Sequence, residues 1–369
     1  MKNKVFLFGT FGNLKGLPKG GGQTSARRIW RNLERLGYSV SITNRHRDSC
    51  NNPVFHKIKT VLGMMHDILS WSFKLLLKKR SNSLTIVIGY GGIMSLFDSI
   101  IVRISSNLGY KTVYYLKGGG TERLYINGIS GSQASFKKCL LNSDLVLTEG
   151  EPNVDFVNRI TKGKIRVHCV PNFIEDGFMP NQCPERNIET INLFYFGRIE
   201  EEKNVKLIVE TFNILCNRID NLHLTIVGRL DTQYAIELQE MIDGSPYAEK
   251  ITRIGHSTHA ELAKMLRNQH FFVFPSQENR EGHSNALNEA MSWGLVPIVS
   301  DNNFLPSIVG NNNLVVSTMS AESYAQAIAD IIDNNKICYY SKMMYERVKT
   351  RYTQAIVCNI LKETLFGLN

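Results

Sequence analysis

The chain has 369 residues, 43% of them hydrophobic, which is too long for one ordinary α/β domain and enough to bury two cores. Its 43 Lys and Arg against 33 Asp and Glu leave a net charge of +10. The seven cysteines are odd in number and show no Cys-x-x-Cys spacing, which argues against a disulfide frame or a cysteine zinc site and fits a reducing compartment.

Residues 1–4 run straight into a strand-like stretch at 5–8, so no signal peptide is expected. No apolar run reaches about 18 residues, so no transmembrane helix is expected either. Further strands are expected at 40–43, 84–88, 112–116, 145–148 and 165–170. A second series follows at 191–196, 222–227, 251–254, 271–274, 296–299 and 314–316. Amphipathic stretches separate them: Ile29, Leu33 and Leu36 share one helical face, as do Leu207, Ile208, Phe212 and Leu215. Strands alternating with helices predict parallel sheets joined by crossovers. The unbroken apolar run Thr85, Ile86, Val87, Ile88 predicts cover on both sheet faces. Residues 173–190 hold Pro180 and Pro184 and lack a period, which reads as a linker. The expected division is therefore a first domain at 1–172, a linker at 173–190 and a second domain at 191–345. Residues 339–368 read as helical, and 346–369 are expected as a helix crossing back to the first domain.

Charge divides along the same line. Residues 1–172 carry 26 Lys and Arg against 9 Asp and Glu, and the remainder carries 17 against 24. A half at +17 points to an anionic partner such as a membrane surface, a lipid phosphate or nucleic acid, or simply to a solubilising surface. Residues 56–80 concentrate Val61, Leu62, Met64, Met65, Ile68, Leu69, Trp71, Phe73, Leu75, Leu76 and Leu77 before Lys78, Lys79 and Arg80. Two readings fit: a helix lying on anionic lipid, or a core helix whose cationic end complements its dipole. Nucleic acid is not expected as the partner, because exposed aromatics are not interleaved with the cations in a recognisable module.

The second half holds the residues with chemistry. The strand at 271–274 runs through Pro275 and Ser276 to Glu281 and Gly282, and a helix starts near Asn285. Free N–H groups at such a helix start suit an anionic or hydroxyl-rich ligand. Glu289 lies about one turn inside it. Taken singly, a loop glutamate and a helix glutamate are usually solvated. Together, Glu281 and Glu289 suit the hydroxyls of a sugar ring and of a ribose, each charged hydrogen bond contributing about 1.5–3 kcal/mol. The strand at 191–196 ends at Gly197 and Arg198, with Lys203 in the following loop. A glycine admits close approach of a ligand, and the two cations suit a diphosphate leaving group.

In this order, Gly197-Arg198 with Lys203, Pro275-Ser276, Glu281-x7-Glu289 and Gly294-x-Val296-Pro297 resemble the donor domain of family-4 glycosyltransferases. Looser matches in the first half are Gly20-Gly21-Gly22, the stretch from Ser143 to Thr148, and Val170-Pro171-Asn172. The resemblance implies the α/β GT-B fold, two Rossmann-like doubly wound domains with a cleft between them. It further implies a retaining transfer from a UDP- or GDP-linked sugar to a glycan or lipid-linked acceptor, as in bacterial polysaccharide synthesis. Glu281 would contact the donor sugar and Glu289 the ribose. Gly282, His283, Ser284 and Asn285 would line the sugar and phosphates, and Arg198 and Lys203 would bind the diphosphate. Gly21 and Gly22 would close over the phosphates, and the backbone of Ile254, Gly255 and His256 would hold the base. No cofactor or metal is implied: Asp-x-Asp is absent, and His256 and His259 lack an obvious third ligand. Where many relatives place a histidine near the reacting sugar, this chain has Lys117 before three glycines. His283 and Ser284 replace the more usual aromatic and proline, and Ser307 stands where a glutamate is common. A nucleotide-sugar 2-epimerase, an inactive sugar-binding relative and a basic nucleic-acid-binding protein are the alternatives. The expected location is cytoplasmic, with a peripheral place on the inner face of the plasma membrane.

Overall fold

The structure, a computed structural model, describes residues 4–16, 20–46, 53–78 and 83–368. The chain divides into two compact units, Met1–Pro171 with Cys358–Asn369, and Asn172–Val357.

The first unit is built on six strands: β1 (Lys4–Gly9), β2 (Ser39–Asn44), β3 (Ser83–Gly89), β4 (Lys111–Leu116), β5 (Leu145–Thr148) and β6 (Val167–Cys169). They lie in the order β2-β1-β3-β4-β5-β6. All pairings are parallel, with Val5 opposite Val40 on one side and Leu84 on the other. Six helices connect them: α1 (Gly21–Arg35), α2 (Pro53–Leu76), α3 (Ser95–Asn107), α4 (Thr121–Ile126), α5 (Ser130–Leu141) and α6 (Glu151–Thr161). The continuous apolar strand β3 is buried along almost its whole length, as a parallel strand covered on both faces requires. Phe6, Phe8, Trp71, Tyr114, Phe136 and Phe156 anchor the core.

The second unit holds β7 (Ile191–Phe196), β8 (Leu222–Val227), β9 (Ile251–Ile254), β10 (Phe271–Phe274), β11 (Val296–Ser300) and β12 (Val315–Val316). Their order is β12-β11-β10-β7-β8-β9, again all parallel. From β7 the chain builds outward to β9, then crosses to the other side of β7 and builds outward again from β10. Its helices are α7 (Val205–Cys216), α8 (Gln233–Asp243), α9 (His259–Leu266), α10 (Asn285–Ser292), α11 (Leu305–Val309), α12 (Ala321–Asp333) and α13 (Ile337–Arg351); α14 (Gln354–Phe366) runs on into Cys358–Asn369, which belongs to the first unit. In such a sheet the crevice opens where the strand order reverses, outside the carboxyl ends of β7 and β10. Stacked rings of Tyr195, Phe272 and Phe274 fill the core beneath that point.

Two expectations change. Residues 339–368 form two helices, broken between α13 and α14. There the Ile174 N–H donates to the Tyr352 carbonyl at 2.7 Å, and the Gln354 N–H donates to the Ile174 carbonyl at 3.1 Å. This strand-like bridge takes up groups that a continuous helix would pair internally. Residues 173–190 belong to the second unit. Phe173 and Ile174 are buried, the Tyr345 hydroxyl donates to the Pro180 carbonyl at 2.9 Å, and the Arg186 guanidinium donates to the carbonyls of Leu266, Arg267 and Trp293.

Candidate functional site

Beside the reversal point the ends of β7 and β8 are pressed together. Gly197, after β7, has φ +147°, and its N–H donates to the Val227 carbonyl at 3.1 Å. Gly228, after β8, sits so close that an added Cβ would stand 2.4 Å from the Gly197 carbonyl oxygen. Only glycine fits such an approach. The loop beyond Gly197 is thereby aimed across the end of β7.

That loop carries Arg198 and Lys203. Arg198 is half-exposed, and its guanidinium donates to Glu200 and to Glu278, each at 2.7 Å. Lys203 is buried, its ammonium 2.5 Å from Glu278 Oε2, hydrogen-bonded to Glu281 and 3.5 Å from the Ser276 hydroxyl. It also lies 5.3 Å from the centre of the Phe274 ring.

The opposing loop follows β10. Ser276 Oγ donates to Glu281 Oε2 at 2.7 Å. The Ser276 carbonyl is held by the Ser300 hydroxyl at 2.6 Å and the Asn302 amide at 3.1 Å. Asn302 and Asn303 both donate to the Glu278 carbonyl at 3.1 Å. The Gln277 N–H donates to the Glu202 carbonyl at 2.8 Å, tying this loop to the one bearing Lys203. Burial raises the pKa of the Glu278 carboxyl, but the opposing pull of Lys203 and Arg198 wins and holds it below its ordinary value of 4.5.

Helix α10 begins beside Glu281, and the Ser284 hydroxyl caps it by accepting from the Leu287 N–H at 3.4 Å. His283 is buried; its Nε2 lies 3.2 Å from Asn288 Oδ1, and its ring meets Tyr352 edge-on at 4.7 Å. Asn172 and Asn288 lock the turn, Asn172 donating to the His283 carbonyl at 2.7 Å and Asn288 to the Asn172 carbonyl at 3.3 Å. Glu289 is buried on α10, with Oε1 3.7 Å from Nε2 of the exposed His259. At the end of β9, the Ile254 carbonyl accepts from the Gly228 N–H at 3.0 Å, and His256 beyond it is exposed.

Arg198, Lys203 and Glu281 are thus gathered into one cluster, with Gly282, His283, Ser284 and Asn285 leading into α10 beside it. Gly21, Gly22 and Lys117 belong to the first unit. Gly21 and Gly22 open α1, where a Cβ on Gly22 would lie 3.2 Å from the Tyr90 hydroxyl. Lys117 is buried, 3.3 Å from Glu149 Oε2, with its ammonium 3.0 Å from the Tyr115 hydroxyl. Burial lowers its pKa more than Glu149 raises it. Sequence reasoning missed Glu278, Glu149 and the anchors Asn302 and Asn303, and placed Ser276 in a motif without giving it a role. Glu278 lies three positions before Glu281 in the same loop, but spacing alone does not say which of the two carboxylates turns inward.

Residues 184–351 match the family model described as glycosyl transferases group 1. That match lies within the second unit. The chain is 24% identical over 148 residues to the capsular polysaccharide biosynthesis glycosyltransferase CapM of Staphylococcus aureus. That match covers 39% of this chain and 37% of CapM, so the chain spans little more than a third of that relative. Among solved structures, it resembles sucrose-phosphate synthase of Thermosynechococcus elongatus, with TM-score 0.73, 17% identity and full coverage of both chains. It also resembles Alr3699/HepE of Anabaena in complex with UDP, with TM-score 0.69, 11% identity and full coverage of both. These likenesses give the fold, GT-B. The three cluster residues Arg198, Lys203 and Glu281 all lie inside the residues matched by the group 1 model.

Proposed function

We propose that the chain transfers a sugar from a nucleoside-diphosphate donor to a glycan or lipid-linked acceptor in polysaccharide synthesis. The observation that carries this is the convergence of Arg198, Lys203 and Glu281 where the second sheet reverses its strand order, beside the start of α10. In this reading Arg198 and Lys203 take the diphosphate, with the N–H groups at the start of α10 completing the anion site. Glu281 accepts from the sugar hydroxyls and Glu289 from the ribose. The loop after Ile254 lies beside the base. The bond from the anomeric carbon to the phosphate oxygen breaks, and one to the acceptor hydroxyl oxygen forms. The acceptor's proton passes to the departing phosphate oxygen. Negative charge grows on the diphosphate as the bond breaks, so fixed cations lower that barrier more than they strengthen ground-state binding. HepE was solved with UDP, and CapM is named for capsule synthesis; both support the donor and pathway classes.

The test is calorimetric titration of UDP and of GDP into the wild type and Glu289→Ala. One nucleotide is expected to bind, and the substitution to weaken it by about 1.5–3 kcal/mol. Binding of neither would end this reading.

A membrane-bound acceptor is favoured by α2. Ile58, Leu62, Met65, Leu69, Phe73 and Leu76 are each at least half exposed and recur every three or four residues, forming one apolar stripe. Met64, Trp71 and Leu75 are buried on the other side; the Trp71 indole donates to the Ser105 hydroxyl at 3.0 Å. Trp71 is therefore a core residue, and Lys74 also turns inward, onto the Ile42 carbonyl at 2.7 Å. Lys79 and Arg80 lie outside the described residues, as do the side chains of His56 and Lys57. An exposed apolar stripe within a half carrying +17 suits an anionic lipid surface. Among the described residues no helix is long and apolar enough to cross a membrane, so the contact would be with one face of the bilayer.

A further inference from the structure

The cluster at the end of β7 contains two cations, Arg198 and Lys203, and three carboxylates, those of Glu200, Glu278 and Glu281. A diphosphate entering it unchanged would meet net negative charge. All three Lys203 ammonium hydrogens have acceptors within reach, on Glu278, Glu281 and Ser276. One carboxylate must leave before a phosphate oxygen can take both cations.

The structure identifies which one. Glu281 is fixed at the strand end by Ser276 as well as by Lys203, and is buried. Glu200 touches Arg198 alone among the two cations, on its solvent side. Glu278 differs from both. A single oxygen, Oε2, bridges Arg198 Nη2 at 2.7 Å and Lys203 Nζ at 2.5 Å, the position a bridging phosphate oxygen would occupy. Its backbone is pinned at the carbonyl by Asn302 and Asn303, and Gln277, Asn279 and Arg280 around it are exposed. Side-chain rotation alone can therefore swing the carboxylate out to water without moving the loop.

We propose that Glu278 is an internal anion that fills the diphosphate seat, so that the donor enters by exchanging with it. This rests on the donor reading above and adds a specificity-determining residue to it. With the seat empty of ligand, Glu278 keeps the buried Lys203 charge matched. A ligand with one phosphate competes poorly against a tethered carboxylate, whereas a diphosphate offers several oxygens to the same two cations. When the sugar has left, return of Glu278 helps expel the nucleoside diphosphate.

The experiment is titration of UDP, GDP, UMP and GMP into the wild type, Glu278→Gln and Glu278→Ala, with circular dichroism confirming the fold of each. The expected result is at least about tenfold tighter nucleoside-diphosphate binding in both variants, slower dissociation in stopped flow, and measurable monophosphate binding that the wild type lacks. Binding of a monophosphate by a variant where the wild type binds only the diphosphate would show the seat closed by Glu278. If the wild type binds a diphosphate and neither variant binds it more tightly, Glu278 is a buttress for the loop and the inference fails while the donor reading stands. If no protein binds any nucleotide, the donor reading falls and takes this inference with it.

Discussion

Lys203 shows how little room a buried charge has. Its ammonium is buried with Glu281, so removing the lysine leaves that carboxylate without its cation in a poorly solvated place. Lys203→Met should cost about 3–5 kcal/mol in urea unfolding, and Lys203→Met with Glu281→Gln should recover part of that loss. A double variant as unstable as the single one would show that the two groups are not coupled. The Glu278 carboxyl acts in the same direction at low pH. Its folded pKa lies below 4.5, so its contribution is complete above that value and is lost as pH falls through the lowered one. At this scale the sequence revealed the residue types and not their pairing. Arg198, Lys203 and Glu281 stood out because cations and carboxylates flanked strand ends. Their bond partners depend on where Asn302 and Asn303, arriving after β11, fasten the intervening loop.

Elements were legible where a local rule governs them. The strands of both sheets follow β-branched and aromatic runs, and α10 begins after its Ser284 cap. The break between α13 and α14 was not legible, because it is imposed by Ile174 from far away in sequence. The edge of β10 offers a pH test. His270 precedes it, accepts from the Asn192 N–H at 3.1 Å through Nδ1, and lies 2.9 Å from the Asn187 carbonyl through Nε2. Burial pushes its pKa down from 6.5 to about 4. The neutral ring's contribution is therefore complete above pH 6.5 and is lost as pH falls towards 4, a decline of about 3 kcal/mol across that window. Unfolding curves at pH 7 and 5 should show His270→Gln losing less stability between them than the wild type; equal losses would place the titration elsewhere. On α2, Leu69→Glu with Phe73→Glu should abolish flotation with phosphatidylglycerol vesicles at low salt while leaving the melting temperature nearly unchanged. Retained flotation would remove the stripe from the membrane contact, and a fall in mass in light scattering would show instead that it joins two copies of the chain.

At the scale of the whole molecule, the two sheets differ in how their chains close. The second unit is continuous, Asn172–Val357, whereas the first takes in Cys358–Asn369. Leu361, Leu365 and Leu368 are buried in that returning segment, and the Arg166 guanidinium donates to the Gly367 carbonyl at 3.3 Å. Ending the chain after Val357 should therefore lower the first unit's unfolding transition and leave the second's in place, which calorimetry resolves as two separating peaks. A single peak that shifts as a whole would show that the units melt together. The same arrangement sets an order of events at birth. Domains usually complete themselves in the sequence in which they leave the ribosome. Here the first half emerges earliest yet waits for residues 358–368, so the later half is able to finish before it. Until then the unfinished surface needs shelter, and a nascent chain stalled near residue 357 is where a holding chaperone should be found bound.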